Sequence, residues 1–270
     1  MVMNGATEAS WPVSGAAGAQ PAAGGLWAAV AAGALRWAKF SVGLAALPAC
    51  CAVGMALCGA LGRDTGWASG GWAPAWRWFI GGAVLLAGVF AVVWRPVTMH
   101  VFAHEVGHAV LVWLCGGRVS RLSASASGGQ VTATKSNMLV RLAPYCIPFY
   151  AVLAAGIFLG LNAWWRPLAQ YHWLLAGVLG CTWAFHLLFT VWSLARGQSD
   201  LKADGRLFSL VLIFLANVLV FAAVAGLALS GHWRGAWEAL EDVVLNGWHH
   251  CRTIYGGIFE LARQALGHVW

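Results

Sequence analysis

Along the chain, apolar runs of membrane-crossing length alternate with short breaks that carry much of the Gly, Pro and charge. The first run is Ser41 to Gly62, preceded by an apolar lead-in from Leu26 to Leu35 and the basic pair Arg36 and Lys39. Residues 63–77 hold Arg63, Asp64, several Gly and three Trp, and read as a short interfacial loop. A second run, Trp78 to Trp94, ends at Arg95-Pro96, where proline halts helix propagation and biases its predecessor towards extended backbone. Val97 to Cys115 follows, with Gly116-Gly117 as its stop. The broad run Leu142 to Trp165 contains Pro144 and Pro148, which bend a helix and free carbonyls that protein or water must resatisfy. Tyr171 to Arg196 and Leu207 to Leu229 complete the series. Since about 20 apolar residues cross a bilayer core, this pattern predicts an all-α polytopic membrane protein with about six transmembrane helices.

Two stretches follow other periods. Between Arg118 and Asn137, Leu122, Ala124 and Ala126 alternate with Ser123, Ser125 and Ser127; after Gly128-Gly129, Val131 and Ala133 alternate with Thr132 and Thr134. Period-two patterning on both sides of a Gly pair predicts a short β-hairpin, with a flexible Ser/Gly loop as the alternative. A hairpin here offers a strand edge to which an extended peptide can pair through its backbone. Beyond Gly231, Trp233, Trp237, Leu240, Val244, Trp248, Cys251, Tyr255, Ile258 and Leu261 recur every three or four residues, with Glu238, Glu241, Asp242, His249, Arg252 and Arg263 off that stripe. That is an amphipathic helix, expected to lie in the membrane interface, with Gly256-Gly257 as a point of interruption. The expected organisation is a disordered lead over 1–25, a transmembrane domain over 26–230 and an interfacial helix over 231–270.

Composition sharpens this picture. Hydrophobic residues make up 60% of the 270 and charged ones 9%, far below the roughly one quarter charged of a soluble domain. The net charge of +7 comes from sixteen Lys and Arg scattered through the breaks, without a basic stretch beside stacking aromatics, so nucleic acid is not the expected partner. The lipid bilayer is: loop cations and eighteen Trp suit the membrane surface and its interfacial belts. Of seven Cys, without even spacing, six (Cys50, Cys51, Cys58, Cys115, Cys146 and Cys181) fall within or at the ends of the apolar runs and read as small buried hydrophobes. Residues 1–25 contain Glu8 but no Lys or Arg, and so lack the charged start of a secretory signal.

The chemistry concentrates at His104-Glu105-Val106-Gly107-His108, inside the run Val97 to Cys115. Ionisable groups at that depth lose their water, so a functional role is the default reading. Chance placement of nine His and five Glu yields on the order of 0.006 such His-Glu-x-x-His motifs in a chain of this length. Residues four apart share one helix face, so His104 and His108 can bind one metal ion while Glu105 points at its open position. A catalytic zinc takes three protein ligands and this motif supplies two. Asp200 and Asp204, two of only four aspartates, stand four apart ahead of the final run, as first-turn acids or as a third ligand. His100, Cys115 and His186 are further candidates; a lone helix histidine such as His186 is more often a hydrogen-bonded structural residue. His249 and His250 diverge by about 100° on a helix and make a poor pair of ligands.

Phe-Ala-His-Glu-Val-Gly-His-Ala at 102–109, Gly-Gly-Arg-Val at 116–119 ahead of the hairpin, Ala-Pro-Tyr at 143–145 with Pro148, and Gln-Ser-Asp at 198–200 together resemble the site-2 protease family of intramembrane zinc metalloproteases, particularly its smaller bacterial members. The match falls within residues 97–230. The resemblance implies His104 and His108 as zinc ligands, Glu105 as general base and an aspartate at a later helix start as third ligand. It implies transmembrane segments of other proteins as substrates, and a bacterial cytoplasmic (inner) membrane as location. The family's usual Leu-Asp-Gly is represented by Ala203-Asp204-Gly205 without its asparagine-proline context; Gln-Ser-Asp is nearer the smaller members, which favours Asp200 over Asp204. If Leu142–Trp165 and Tyr171–Arg196 both cross fully, Asp200 starts on the face opposite His104. A re-entrant segment around Pro144 and Pro148, or a glycine-rich hairpin folded back through the active-site cavity, is then required. Two other classes stay open: a cation transporter or channel with midplane His and acidic ligands, and an inactive protease-like scaffold.

Overall fold

The computed structural model describes residues 26–64, 73–93, 95–197 and 199–267. The expected disordered lead over 1–25 and Gln198 of the Gln-Ser-Asp match lie outside the described residues. The described chain is helical apart from one two-stranded antiparallel sheet. Helices α1 (Leu26–Ala45) and α2 (Leu47–Asp64) follow each other with a turn at Ala46, so the lead-in and the first run make one apolar stretch of 38 residues from Trp27 to Asp64. Next come α3 (Pro74–Val92), with proline at its start, and α4 (Val97–Leu114), which carries the motif. Gly116 at φ 70° ends α4: the Gly116 and Gly117 amides donate to the Trp113 and Val112 carbonyls, the paired bonds that close a helix through a left-handed residue.

Strands β1 (Val119–Ser125) and β2 (Gly128–Ala133) form the hairpin and pack on α4. Its turn lies at Ala126-Ser127, two residues before the expected Gly pair; Gly128 and Gly129 instead open β2. The broad run is two helices, α5 (Met138–Cys146) and α6 (Phe149–Trp164), bent by 72° where Pro148 withholds an amide. A 3-10 turn over Arg166–Tyr171 leads into α7 (His172–Ala195), then the six-residue α8 (Ser199–Asp204), α9 (Arg206–Ser230) and α10 (Trp233–Gly267). Among the described residues, five helical stretches are long and apolar enough to cross a membrane, or six with the bent α5–α6 pair counted as one span.

The largest buried cluster joins α3, α6, α7 and α9 through Phe79, Phe158, Leu179, Trp183 and Leu227. Helices α3 and α7 approach closely: a methyl on Gly180 would fall 1.8 Å from the Phe79 carbonyl oxygen, so only glycine fits. A smaller cluster of Leu142, Tyr145, Leu201 and Ile213 ties α5 and α8 to α9 and sets the geometry of the site. The long α10 runs unbroken through Gly256-Gly257. It lies antiparallel along the first helices, with Asp242 at Arg63, Gly247 at Val53 and the Tyr255 hydroxyl donating to the Ala45 carbonyl. Val243 completes a cluster with Ala56, Ala60, Val218 and Ala222, so the start of α10 is part of the helix bundle.

Candidate metal centre

Helix α4 presents His104 and His108 one turn apart, with their Nε2 atoms 3.2 Å from each other. Asp200 Oδ2, from α8, stands 3.9 Å from each of those nitrogens. A triangle with these sides has a circumradius of about 2.1 Å, which is an ordinary distance from a metal to a histidine nitrogen or carboxylate oxygen. Among the described residues, these three are the His, Cys, Asp or Glu side chains that converge closely enough to hold one ion.

Local structure aims each of the three side chains. His108 is fully buried, and its Nδ1 donates to the Val140 carbonyl at 2.7 Å. A carbonyl only accepts, so Nδ1 carries the proton and Nε2 of the neutral ring is an acceptor turned toward the other two ligands. Val140 is itself held at the first turn of α5, where the Asn137 side chain caps its amide at 2.9 Å. Asp200 accepts from the Tyr145 hydroxyl at 3.2 Å. Burial pushes the Asp200 carboxyl above its usual pKa, outweighing the opposite pull of that hydrogen bond and of Arg141.

Glu105 adjoins the group and is 5% exposed. Its Oε2 is one of two buried side-chain oxygens among the described residues that have no hydrogen-bond partner. The β2 backbone covers it: a methyl on Gly129 would stand 2.6 Å from Glu105 Oε1 and 2.7 Å from a Val101 methyl. Gly129 therefore serves close approach of the hairpin to the motif helix, while the turn is made at Ala126-Ser127. A narrow cleft opens beside His104, lined among others by His100, Pro144, Thr182, His186 and Thr190.

The other sequence candidates have different partners. Asp204 is not brought to the histidines: Lys39 Nζ binds its Oδ1 at 2.6 Å, and Arg141 Nε and Nη2 bind its Oδ2 at 2.9 and 2.5 Å. Burial acts to raise the Asp204 carboxyl, but the hydrogen bonds and charges of Lys39 and Arg141 outweigh it and hold the pKa below the usual range. His100 stacks on Phe189 and shares a hydrogen bond with Ser193. The Cys115 sulfur accepts from Asn137, and His186 pairs with Asn217 at 3.0 Å, the structural role expected of it. Both ways of bringing Asp200 near His104 have counterparts here, since α5 and α6 are sharply bent and the hairpin folds back over Glu105.

Asn137, Arg141 and Asn217 are not among the sequence candidates, and Tyr145 enters only through Ala-Pro-Tyr. Asn137, three residues before Val140 at a helix start, carries a legible capping signal. Arg141 and Asn217 carry none, because their partners lie 63 and 72 residues away. No family model, curated protein or solved structure matches the chain.

Proposed function

We propose that the chain is an intramembrane zinc metalloprotease of the site-2 protease kind, hydrolysing peptide bonds in or near transmembrane segments of other membrane proteins. One observation carries the reading: Asp200 Oδ2 is equidistant from two histidine nitrogens beside a buried glutamate whose Oε2 has no partner. Two imidazoles and one carboxylate are a donor set that suits zinc, with a position left for water or substrate. The five or six apolar helices support membrane residence, and burial of ionisable groups within one of them supports a functional site there.

When bound, zinc supplies Lewis-acid chemistry, lowering the pKa of water towards about 7 and polarising a carbonyl. The chain's residues do the rest. Val140 and Asn137 fix the ring of His108, and Tyr145 engages Asp200. Glu105 takes a proton from the attacking water and passes it to the leaving amine, and its unpartnered Oε2 has no hydrogen bond to give up first. The two-stranded sheet leaves each strand one unpaired edge, which suits pairing with an extended substrate, and its Gly129 backbone shields Glu105 from bulk water.

The test uses the purified chain in proteoliposomes with a panel of single-span membrane proteins. Glu105→Gln is expected to keep its zinc and lose turnover by about 10²–10⁴-fold, the usual worth of a general base. Unchanged turnover rejects Glu105 as base. Metal flux without cleavage supports cation transport instead, and a cellular role that survives Glu105→Gln supports a non-catalytic scaffold.

A further inference from the structure

We infer that Tyr145 is the positioning residue of the metal centre, holding Asp200 as third ligand by a clamp that acts on both ends of the tyrosine; this rests on the metal reading above. Asp200 sits on a helix of six residues, too short to be rigid by itself. The Tyr145 hydroxyl donates to Oδ2, the same oxygen that stands 3.9 Å from both ligand nitrogens. The Tyr145 ring meets His104 edge-on at 5.3 Å between centroids, so one side chain contacts two members of the group. At 1% exposure it is the largest fully buried side chain among the described residues, and its hydroxyl is satisfied by Asp200.

The other end is fixed by the break in the helix. Because α5 stops at Cys146 and Pro148 has no amide hydrogen, the last carbonyls of α5 need partners from elsewhere. The Tyr145 carbonyl receives one from α9, the Asn217 side-chain amide at 2.8 Å, and Asn217 Oδ1 is in turn paired with His186 from α7. The bend that exposes the carbonyl thus lets α7 and α9 set where the hydroxyl points. His186 and Asn217 act on the metal centre through Tyr145.

The test is metal binding by the full chain in detergent, stripped and then titrated with zinc against a chromophoric chelator, with the visible spectrum of the cobalt form as a second readout. Tyr145→Phe keeps the ring on His104 and is expected to weaken zinc binding by about 10–100-fold and to shift the cobalt bands. Combined with Asp200→Ala it should add no further loss, because its effect passes through Asp200. Wild-type affinity and spectrum in Tyr145→Phe, or losses that simply add in the double variant, overturn the role. Asn217→Leu, which frees the carbonyl and retains the Tyr145 hydroxyl group but loosens its aim, is expected to give a smaller loss of the same kind; no loss there overturns the clamp. If the unmodified chain binds neither zinc nor cobalt, the metal reading itself fails and this role with it.

Discussion

Asp200 and Asp204 lie one turn apart on the same short helix, both almost completely buried, and they stand in opposite surroundings. Asp200 faces two histidines and a phenol, and burial raises its carboxyl. Asp204 faces Lys39 and Arg141, which hold its carboxylate ionised and tie α1 and α5 to α8. The difference originates on α5. Arg141 and Tyr145 are also one turn apart, and the two helices pair in antiparallel fashion, 141 with 204 and 145 with 200. Two identical side chains thus stand one in the candidate metal site and one in a structural lock, according to which residue of the facing helix each meets.

Substitution separates the two roles most sharply at Asp200. Asp200→Ala is expected to lower zinc affinity by more than the roughly 100-fold typical of changes outside the coordination shell, with the fold retained; equilibrium dialysis followed by metal analysis reads this directly. Asp204→Ala should do the reverse, keeping the metal and losing stability. It leaves Lys39 and Arg141 facing each other without a counter-charge. Their side chains are 26% and 23% exposed, which brings the expected cost to about 3 kcal/mol, the low end for removing one partner of a buried ion pair. Thermal unfolding in detergent measures it, and zinc lost from Asp204→Ala but kept in Asp200→Ala would invert the assignment.

A smaller effect follows from pH. The folded pKa of Asp204 is depressed, so its stabilisation is complete above the unfolded carboxylate value of about 3.9 and is lost as pH falls through the lower folded value. Wild type is therefore expected to lose stability relative to Asp204→Asn on acidification, with little change between about pH 5 and 7. A stability difference between the two proteins that is flat down to about pH 3 would show that the lock contributes nothing through ionisation.

Much of the molecule was legible without coordinates. Its long helices follow from apolar runs, and the pairing of His104 with His108 follows from the four-residue repeat, since both depend only on bonds and spacings within one turn. The stop of α4 at Gly116 and the hairpin after it are likewise local signals. Two readings needed correction or extension because they depended on neighbours distant in sequence. The hairpin turn moved to Ala126-Ser127 because Gly129 is needed against Glu105. Helix α10 passes its Gly pair intact and runs along α2, where packing supplies what local propensity does not.

The sequence by itself determined the helical bundle, the motif and the short list of third ligands, because each is a property of composition or of residues a few positions apart. The Gln-Ser-Asp resemblance only leaned toward Asp200; it is tertiary structure that sets Asp200 beside the two histidines and Asp204 against Lys39 and Arg141. That choice rests on α5 meeting α8 in one register after a bent helix pair, the length of α7 and the close approach of α3 to α7. Contacts spanning 55 and 63 residues are energies of packing and charge compensation, and no local pattern in the chain encodes them.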